Sequence, residues 1–365
     1  MIRSADIALC AIYRNEERLL PAFLERHAPL FGELVLVDTG STDRSVEIVK
    51  DHGQAHHYFP WTDHFSRARN RSLELAQKPW ICVLDIDEVL LPQDMEQALS
   101  LLNESPTNGL SLCQINLGFE PVMDDWRETT RLPEPFRSLA PGYSVSRLIR
   151  LFCNDPRVRF QGVIHETVGE SLHAAGLMTR ITDIPIYHLG WALTERSPEE
   201  QMAKRSRYRA IIREAFKSEP TVQNGYYLLA SQDSAGERLR IAYDLTRRFP
   251  EILDFTIMMA QCAVELGEWP RARDYIRRGL TRFPASETLR LLELKALNRC
   301  GRPEEALARL KFFDGRLSRH PDALMEQTKA LILLGRVAEA RKNLSEMADG
   351  QKPGLLAALE KMLDS

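Results

Sequence analysis

Long apolar runs, a surplus of one charge and paired cysteines are what this chain lacks. No window approaches the ~18 apolar residues that a membrane-crossing helix needs. The opening MIRSADIALCAIYRNEE meets polar residues too early for a signal peptide. With 48 basic against 51 acidic side chains the formal net charge is −3, so no overall field draws in nucleic acid or an anionic membrane. Any partner has to be selected by a local site. The cysteines, at positions 10, 82, 113, 153, 262 and 300, show neither a CxxC nor another metal-binding spacing, and Cys10 and Cys82 sit inside apolar runs. They read as reduced, packed thiols, which suits a soluble, cytoplasmic protein.

What is present is two kinds of periodicity. The chain's 365 residues allow two or three domains. In the first part, strand-like and helix-like stretches alternate. DIALCAIY reads as a strand, and NEERLLPAFLERHAPLF carries Leu19, Leu20, Phe23, Leu24 and His27 at helical spacing. ELVLVD is a second strand, STDRSVEIVKDHG a helix closed by Gly53, HFSRARNRSLELAQ another helix and WICVLD a third strand. Strands that are apolar at consecutive positions and separated by helices imply a mostly parallel sheet covered on both faces, an α/β domain of Rossmann-like kind. GLSLCQINLGF, SVSRLIRLF, RVRFQGVIHETV and TRITDIPIYHLGW read as further strands, with a polar, proline-rich segment over 119–143 between the first two. The α/β half ends near Trp191, within a domain assigned to residues 1–195.

Residues 196–220 read as one linker helix, with Ser197 and Glu200 in capping-box spacing and Pro198 at the first helical position. Beyond it the chain, 221–365, is all helix. Gly267, Gly301 and Gly335 recur at intervals of 34, each followed five residues later by Ala272, Ala306 and Ala340. A helix-turn-helix period of 34 is the tetratricopeptide signature. The glycine supplies the turn and the alanine lets the second helix approach its neighbour. Pro250 and Pro284 mark helix ends at the same interval, and a degenerate first repeat near NGYYLLASQ would use Gly236.

Chemistry concentrates at strand ends. Asp38 closes ELVLVD and Asp85 closes WICVLD, and ligands of parallel sheets bind beyond the carboxyl ends of strands. Alternation along an extended chain puts Asp85 and Asp87 on one side and Glu88 on the other, where it starts the next helix or braces the site. Two carboxylates on one rim suggest a hard cation, and through it a phosphate-bearing substrate. The plainer alternative is that these acids cap the turn or helix entered by DEVLLPQDMEQALSLL. TGSTDRS adds hydroxyls and a helix start suited to a nucleotide. His56 and His57 have no partners at metal spacing and read as loop residues; Trp126 either covers a bound sugar or packs its own loop.

The blocks AIYRNEERLLPAFL, ELVLVDTGSTDRSVEIV, FPWTDHFSRARNRSLELAQKPWICVLDIDEVL and RLFCNDPRVRFQGVIHETV resemble, in order, those of family 2 glycosyltransferases of GT-A type. The likeness is to the bacterial branch with C-terminal tetratricopeptide repeats, which includes the sublancin-type peptide S-glycosyltransferases. The resemblance implies a nucleotide-sugar donor, a UDP-sugar in the first instance, with Asn15, Glu16 and Asp38 near the nucleoside, Arg69 near base or phosphate, and Asp85 at the ribose. It places Mn2+ or Mg2+ on Asp87, the second acid of a DxD motif, with His188 as a further ligand. It assigns an acceptor-side base to Glu166 or, alternatively, to His165. The acceptor would be a peptide, protein or glycan, and the repeats would hold it or form a homodimer.

Two rival readings remain open at this point. VLDIDEVLL also resembles the first motif of haloacid-dehalogenase phosphatases, although a long βα stretch precedes it and no later GDxxxD follows. Alternatively, the repeats are the functional part, a scaffold attached to an inactive transferase domain.

Overall fold

A computed structural model describes residues 1–104, 106–119, 126–190, 198–347 and 360. The chain divides into two compact units, Met1–Ile211 and Ile212–Ser365, so the boundary falls inside the expected linker helix. In the first unit β1 (Ile7–Tyr13), α1 (Leu20–His27), β2 (Glu33–Asp38), α2 (Ser45–Asp51), β3 (His57–Tyr58), α3 (Phe65–Leu75) and β4 (Trp80–Val83) alternate as the sequence predicts. Then come β5 (Glu88–Val89), α4 (Pro92–Glu104), β6 (Gly109–Gly118), β7 (Arg127–Glu128), α5 (Phe136–Leu139), β8 (Gly142–Cys153), α6 (Gly169–Ala174) and β9 (Thr179–His188). Helix α7 (Pro198–Ser218) crosses into the second unit. Trp191 and Ser197, the expected end of the α/β half and the expected cap of α7, lie outside the described residues.

The strands form one sheet in the order β3-β2-β1-β4-β8-β6-β9-β5, with β7 paired to β8. Strands β3, β2, β1 and β4 are mutually parallel. β8 runs antiparallel to β4 and β6, β9 parallel to β6, and β5 antiparallel to β9. These directions bring the carboxyl ends of β1, β2, β4, β6 and β9 to one rim. The centre is buried on both faces, since every residue from Ile7 to Ala11 is at most 1% exposed. Ile7, Leu9 and Tyr13 pack with Phe23 and Leu24 of α1 and Leu102 of α4. Cys10 faces the other way, into a cluster with Leu73 of α3 and Leu172 of α6. That alternation is why the strand sequence is apolar at every position rather than at every second one.

One local expectation is corrected and two open alternatives are decided. RVRFQGVIHETV is not a strand: Gly162 (φ 96°) and His165 (φ 54°) break the pleat, and a single bridge joins Gln161 to Thr167. Glu88 does not start a helix but lies in β5, opposite His188 of β9, and α4 begins only at Pro92. Trp126 packs its own segment: its indole lies on Gly118 and Gly142, which face each other across β6 and β8 and leave no room for a Cβ at Gly142.

The second unit contains α8 (Val222–Ala230), α9 (Ala235–Arg248), α10 (Leu253–Glu265), α11 (Trp269–Arg282), α12 (Glu287–Arg299), α13 (Pro303–Leu310), α14 (Pro321–Leu333) and α15 (Val337–Met347). Helices α10, α12 and α14 begin at 253, 287 and 321, which keeps the interval of 34. Gly267, Gly301 and Gly335 turn each pair with φ of 71°, 70° and 68°, a conformation that costs other residues about 1–2 kcal/mol. Ala272, Ala306 and Ala340 are at most 1% exposed, as close helix approach requires. Gly236 is not the equivalent turn residue. It sits in the first turn of α9, capped by the Ser234 side chain, which accepts the Glu237 N–H at 3.2 Å. Among the described residues no helix is long and apolar enough to cross a membrane.

Candidate active site

The end of the rim beyond β1 and β2 is built by two interlaced loops. Beyond β1 the chain turns at Asn15 (φ 56°). The Asn15 N–H donates to Ser41 Oγ at 3.0 Å, and Asn15 Oδ1 accepts the Thr42 N–H at 2.7 Å. The Glu16 N–H donates to Ser45 Oγ at 2.8 Å. Asp38, 3% exposed, accepts the Ser41 N–H at 2.9 Å, and its other oxygen lies 3.8 Å from His56 Nε2. His56 lies in the loop before β3, as expected, with Asp38 as its partner, whereas His57 belongs to β3, which corrects its reading as a loop residue. Tyr13 pairs in register with Asp38, and its buried hydroxyl has no hydrogen-bond partner among the described residues.

Asp38 and Asp85 do not stand on neighbouring strands. β1 lies between β2 and β4, so two strand spacings, about 10 Å, separate the two positions. The three acids of LDIDE are also sorted differently from the alternation expected of an extended chain. The strand ends at Val83, and the Glu88 N–H returns to the Asp85 carbonyl at 3.0 Å, closing a turn. Glu88 Oε2 then accepts the Asp85 N–H at 2.8 Å. Both carboxylates share Arg150, whose Nη2 lies 3.1 Å from Asp85 Oδ2 and 2.5 Å from Glu88 Oε1. Gln114 donates to the same Glu88 oxygen, and Arg69 Nη2 donates to Asp85 Oδ1 at 2.6 Å. Glu88 thus braces Asp85 from beneath.

Burial alone would push Asp85 up, but the Arg69 and Arg150 guanidiniums outweigh it and hold its carboxyl well below the usual range. Glu88, buried and beside Asp85, is raised despite Arg150. Asp85 is a fixed anion clamped by two cations, an arrangement unlike a nucleophile poised for phosphoryl transfer.

Asp87 separates from this pair and meets His188 from the end of β9, with Oδ2 3.3 Å from Nε2. His188 Nδ1 lies 2.9 Å from Asn116 Oδ1 on β6, and Asn116 in turn donates to Ser146 Oγ at 3.2 Å. Asn116 therefore orients the ring so that Nε2 faces Asp87, the outer-sphere arrangement that commonly supports a histidine ligand. Burial lowers the His188 pKa, but its bond to Asp87 and the surrounding carboxylates win and raise it. Gly190 completes the cradle: a Cβ there would overlap Asp87 Oδ2 and stand 2.9 Å from His188 Nε2. No cluster of three or more acidic, histidine or cysteine ligands exists among the described residues. A carboxylate and an imidazole fit a divalent cation that would take its other ligands from substrate and water, and the imidazole would favour Mn2+ over Mg2+.

Arg69, 5% exposed, links this rim to the 162–166 loop, because its Nε donates to Glu166 Oε1 while its Nη2 holds Asp85. No hydrogen bond reaches Glu166 Oε2 among the described residues. His165 occupies the left-handed region, and partial desolvation of its ring lowers its pKa. Sequence reasoning missed Arg150, Asn116, His56 and Gln114. Each of Arg150, Asn116 and Gln114 is joined to its partner across a long sequence separation, 72 residues for Asn116 and His188, and only its being a polar residue inside an otherwise apolar strand signalled it.

Residues 9–159 match the family model described as Glycosyl transferase family 2. Among curated proteins, a TPR repeat-containing protein of Synechococcus elongatus is 34% identical over 207 residues, 54% of this chain and 46% of that protein. The SPbeta prophage-derived glycosyltransferase SunS of Bacillus subtilis is 24% identical over 188 residues, 51% of this chain and 40% of that protein. The matched stretch thus spans less than half the length of either relative. Among solved structures, S. aureus TarS 1-349 aligns with 88% of this chain and 90% of its own at 16% identity, with a TM-score of 0.37.

Proposed function

We propose, from the match of residues 9–159 to the model described as Glycosyl transferase family 2, that the chain transfers a sugar from a UDP-sugar donor to a nucleophile on a peptide, protein or glycan. Transfer depends on a divalent cation held by Asp87 and His188. The observation that carries this reading is the meeting of Asp87, in the turn between β4 and β5, with His188, at the end of β9, 3.3 Å apart and beside an Asp85 kept ionised by two buried arginines.

In this reading the loops around Asn15, Glu16 and Asp38 take the nucleoside, and Asp85 orients the ribose. A bound Mn2+ or Mg2+ would supply positive charge where the departing diphosphate accumulates negative charge. Arg69 fixes Glu166 through Oε1, which leaves Oε2 to accept the acceptor's proton. His165, kept neutral by desolvation, is the alternative base. In an inverting transfer the acceptor's lone pair forms the new bond to the anomeric carbon. The bond to the diphosphate oxygen breaks, its electron pair leaves with the diphosphate, and the proton passes to Glu166. Residues 1–195 carry the transfer, 196–220 connect, and the helices of 221–365 engage the acceptor or a second copy.

Incubation with a panel of UDP-sugars tests the reading through release of UDP. Wild-type protein should release UDP with Mn2+ and not with chelator, and Asp87→Asn should be inactive. A protein that releases UDP from no member of the panel, and whose melting temperature none of them raises with Mn2+, overturns it.

A further inference from the structure

Helix α7 reads in the sequence as a linker, yet its middle is fastened onto the first unit beside the candidate site. Arg207 Nη2 donates to Asp63 Oδ1 at 3.0 Å, and its guanidinium lies 6.0 Å from the Trp61 ring. Trp61 Nε1 donates to the same oxygen at 2.6 Å. The next residue, Tyr208, sets its ring 5.8 Å from that of Phe65. Phe65 is the start of α3, and its N–H donates to the Val163 carbonyl at 2.9 Å; the neighbouring Ser66 hydroxyl donates to the Gly162 carbonyl. This stretch and the loop bearing His165 and Glu166 therefore form one framework. Four residues on, and so on the same face of α3, Arg69 reaches Glu166 and Asp85.

Tyr208, half-buried and with its ring against Phe65, is near enough to Glu166, Asp85 and Asp87 to feel their charge. Burial, with the negative charges of Glu166, Asp85 and Asp87, pushes its pKa up to about 12. The phenol is thus protonated throughout the physiological range and serves as a hydrogen-bond donor, not as a base. A diphosphate entering beside three carboxylates needs donors, and a neutral hydroxyl provides one without burying another charge.

We propose that Tyr208 is a substrate-contacting residue whose hydroxyl donates to the diphosphate of the bound nucleotide sugar, so that α7 is a wall of the transfer site and not a spacer. This rests on the donor site proposed above. Loss of a hydrogen bond to a charged group corresponds to about 10- to 100-fold in affinity.

The test is calorimetric titration of UDP, in the presence of Mn2+, into full-length wild type, Tyr208→Phe, Arg207→Ala and a control on the same helix, Lys217→Ala. Tyr208→Phe keeps the ring on Phe65, so the protein should remain folded with a cooperative melt while UDP affinity falls about 10- to 100-fold. Arg207→Ala, which unpins α7 but keeps the hydroxyl, should also weaken UDP, and Lys217→Ala should bind as wild type does. If wild type binds UDP with Mn2+ and Tyr208→Phe binds equally well, this proposal falls and the donor site stands. If wild type itself binds no UDP with Mn2+, both fall.

Discussion

Replacing Gly190 by alanine should abolish metal-dependent nucleotide binding without altering a single ligand. A Cβ at this position would overlap Asp87 Oδ2 and stand 2.9 Å from His188 Nε2, two atoms that lie 3.3 Å from each other. An added methyl needs about 3.5 Å from its neighbours, so Nε2 must retreat by about 0.6 Å and the carboxylate by more. Metal–ligand distances tolerate only about 0.2 Å. Neither group moves freely, because His188 Nδ1 is held by Asn116 at 2.9 Å and the Asp87 carbonyl accepts the Leu189 N–H at 2.8 Å. Gly190 is not in the left-handed region, so alanine adds no backbone strain. The expected outcome is a loss of about 100-fold or more in affinity for UDP with Mn2+, about 2.7 kcal/mol. Folding stability should change by no more than about 0.5 kcal/mol. Calorimetric titration and a urea melt measure the two quantities. A Gly190→Ala protein that binds UDP and Mn2+ as wild type does would refute the assignment of the cation to this cradle.

Other perturbations separate the remaining parts of the site. Asn116→Ala frees the His188 ring while leaving both ligands, and should weaken Mn2+-dependent UDP binding by about 10- to 100-fold in the same titration. Arg150→Met strips a buried cation from Asp85 and Glu88, and should cost about 3–5 kcal/mol in urea unfolding, since uncompensated buried carboxylates remain. His27 supplies a pH test of the fold. Its Nδ1 bonds the Phe23 carbonyl at 3.0 Å and its Nε2 accepts the Leu90 N–H at 3.3 Å, so the buried ring is neutral, and burial lowers its pKa to about 4. With the folded value below an unfolded value of about 6.5, stability is full above pH 6.5. It is lost at about 1.4 kcal/mol per pH unit as pH falls from there toward 4. His27→Gln should flatten the dependence of the urea midpoint on pH within that window, and an unchanged slope would show that His27 does not cause it.

Sequence pattern carried the parts of this molecule that depend on local periodicity. Unbroken apolar strands between helices announced the two-sided sheet, and the interval from Gly267 to Gly301 to Gly335 announced the helix pairs, because each signal reports a backbone requirement met within a few residues. The acids of LDIDE marked the rim for the same reason, since they end a strand. Their division of labour was not legible. Alternation predicts Asp85 with Asp87, whereas a turn closed by the Glu88 N–H gives Asp85 to Glu88 and Arg150, and Asp87 to His188. Those partners arrive from β8 and β9, strands whose register no local pattern encodes. The 157–168 segment failed as a strand because Gly162 and His165 both take positive φ. The seat of Tyr208 on Phe65 was hidden because helical periodicity reports a helix but not the surface it lies on.

The central claim, that Asp87 and His188 bind a divalent cation together with a nucleoside diphosphate, is tested most directly by the electron paramagnetic resonance signal of free Mn2+. Titration of the full-length protein into Mn2+ should remove that signal far more effectively when UDP is present. Asp87→Ala should need about 100-fold more protein for the same loss. If Asp87→Ala captures Mn2+ with UDP as tightly as the wild type, the cation is not held at Asp87 and the account of the site is wrong.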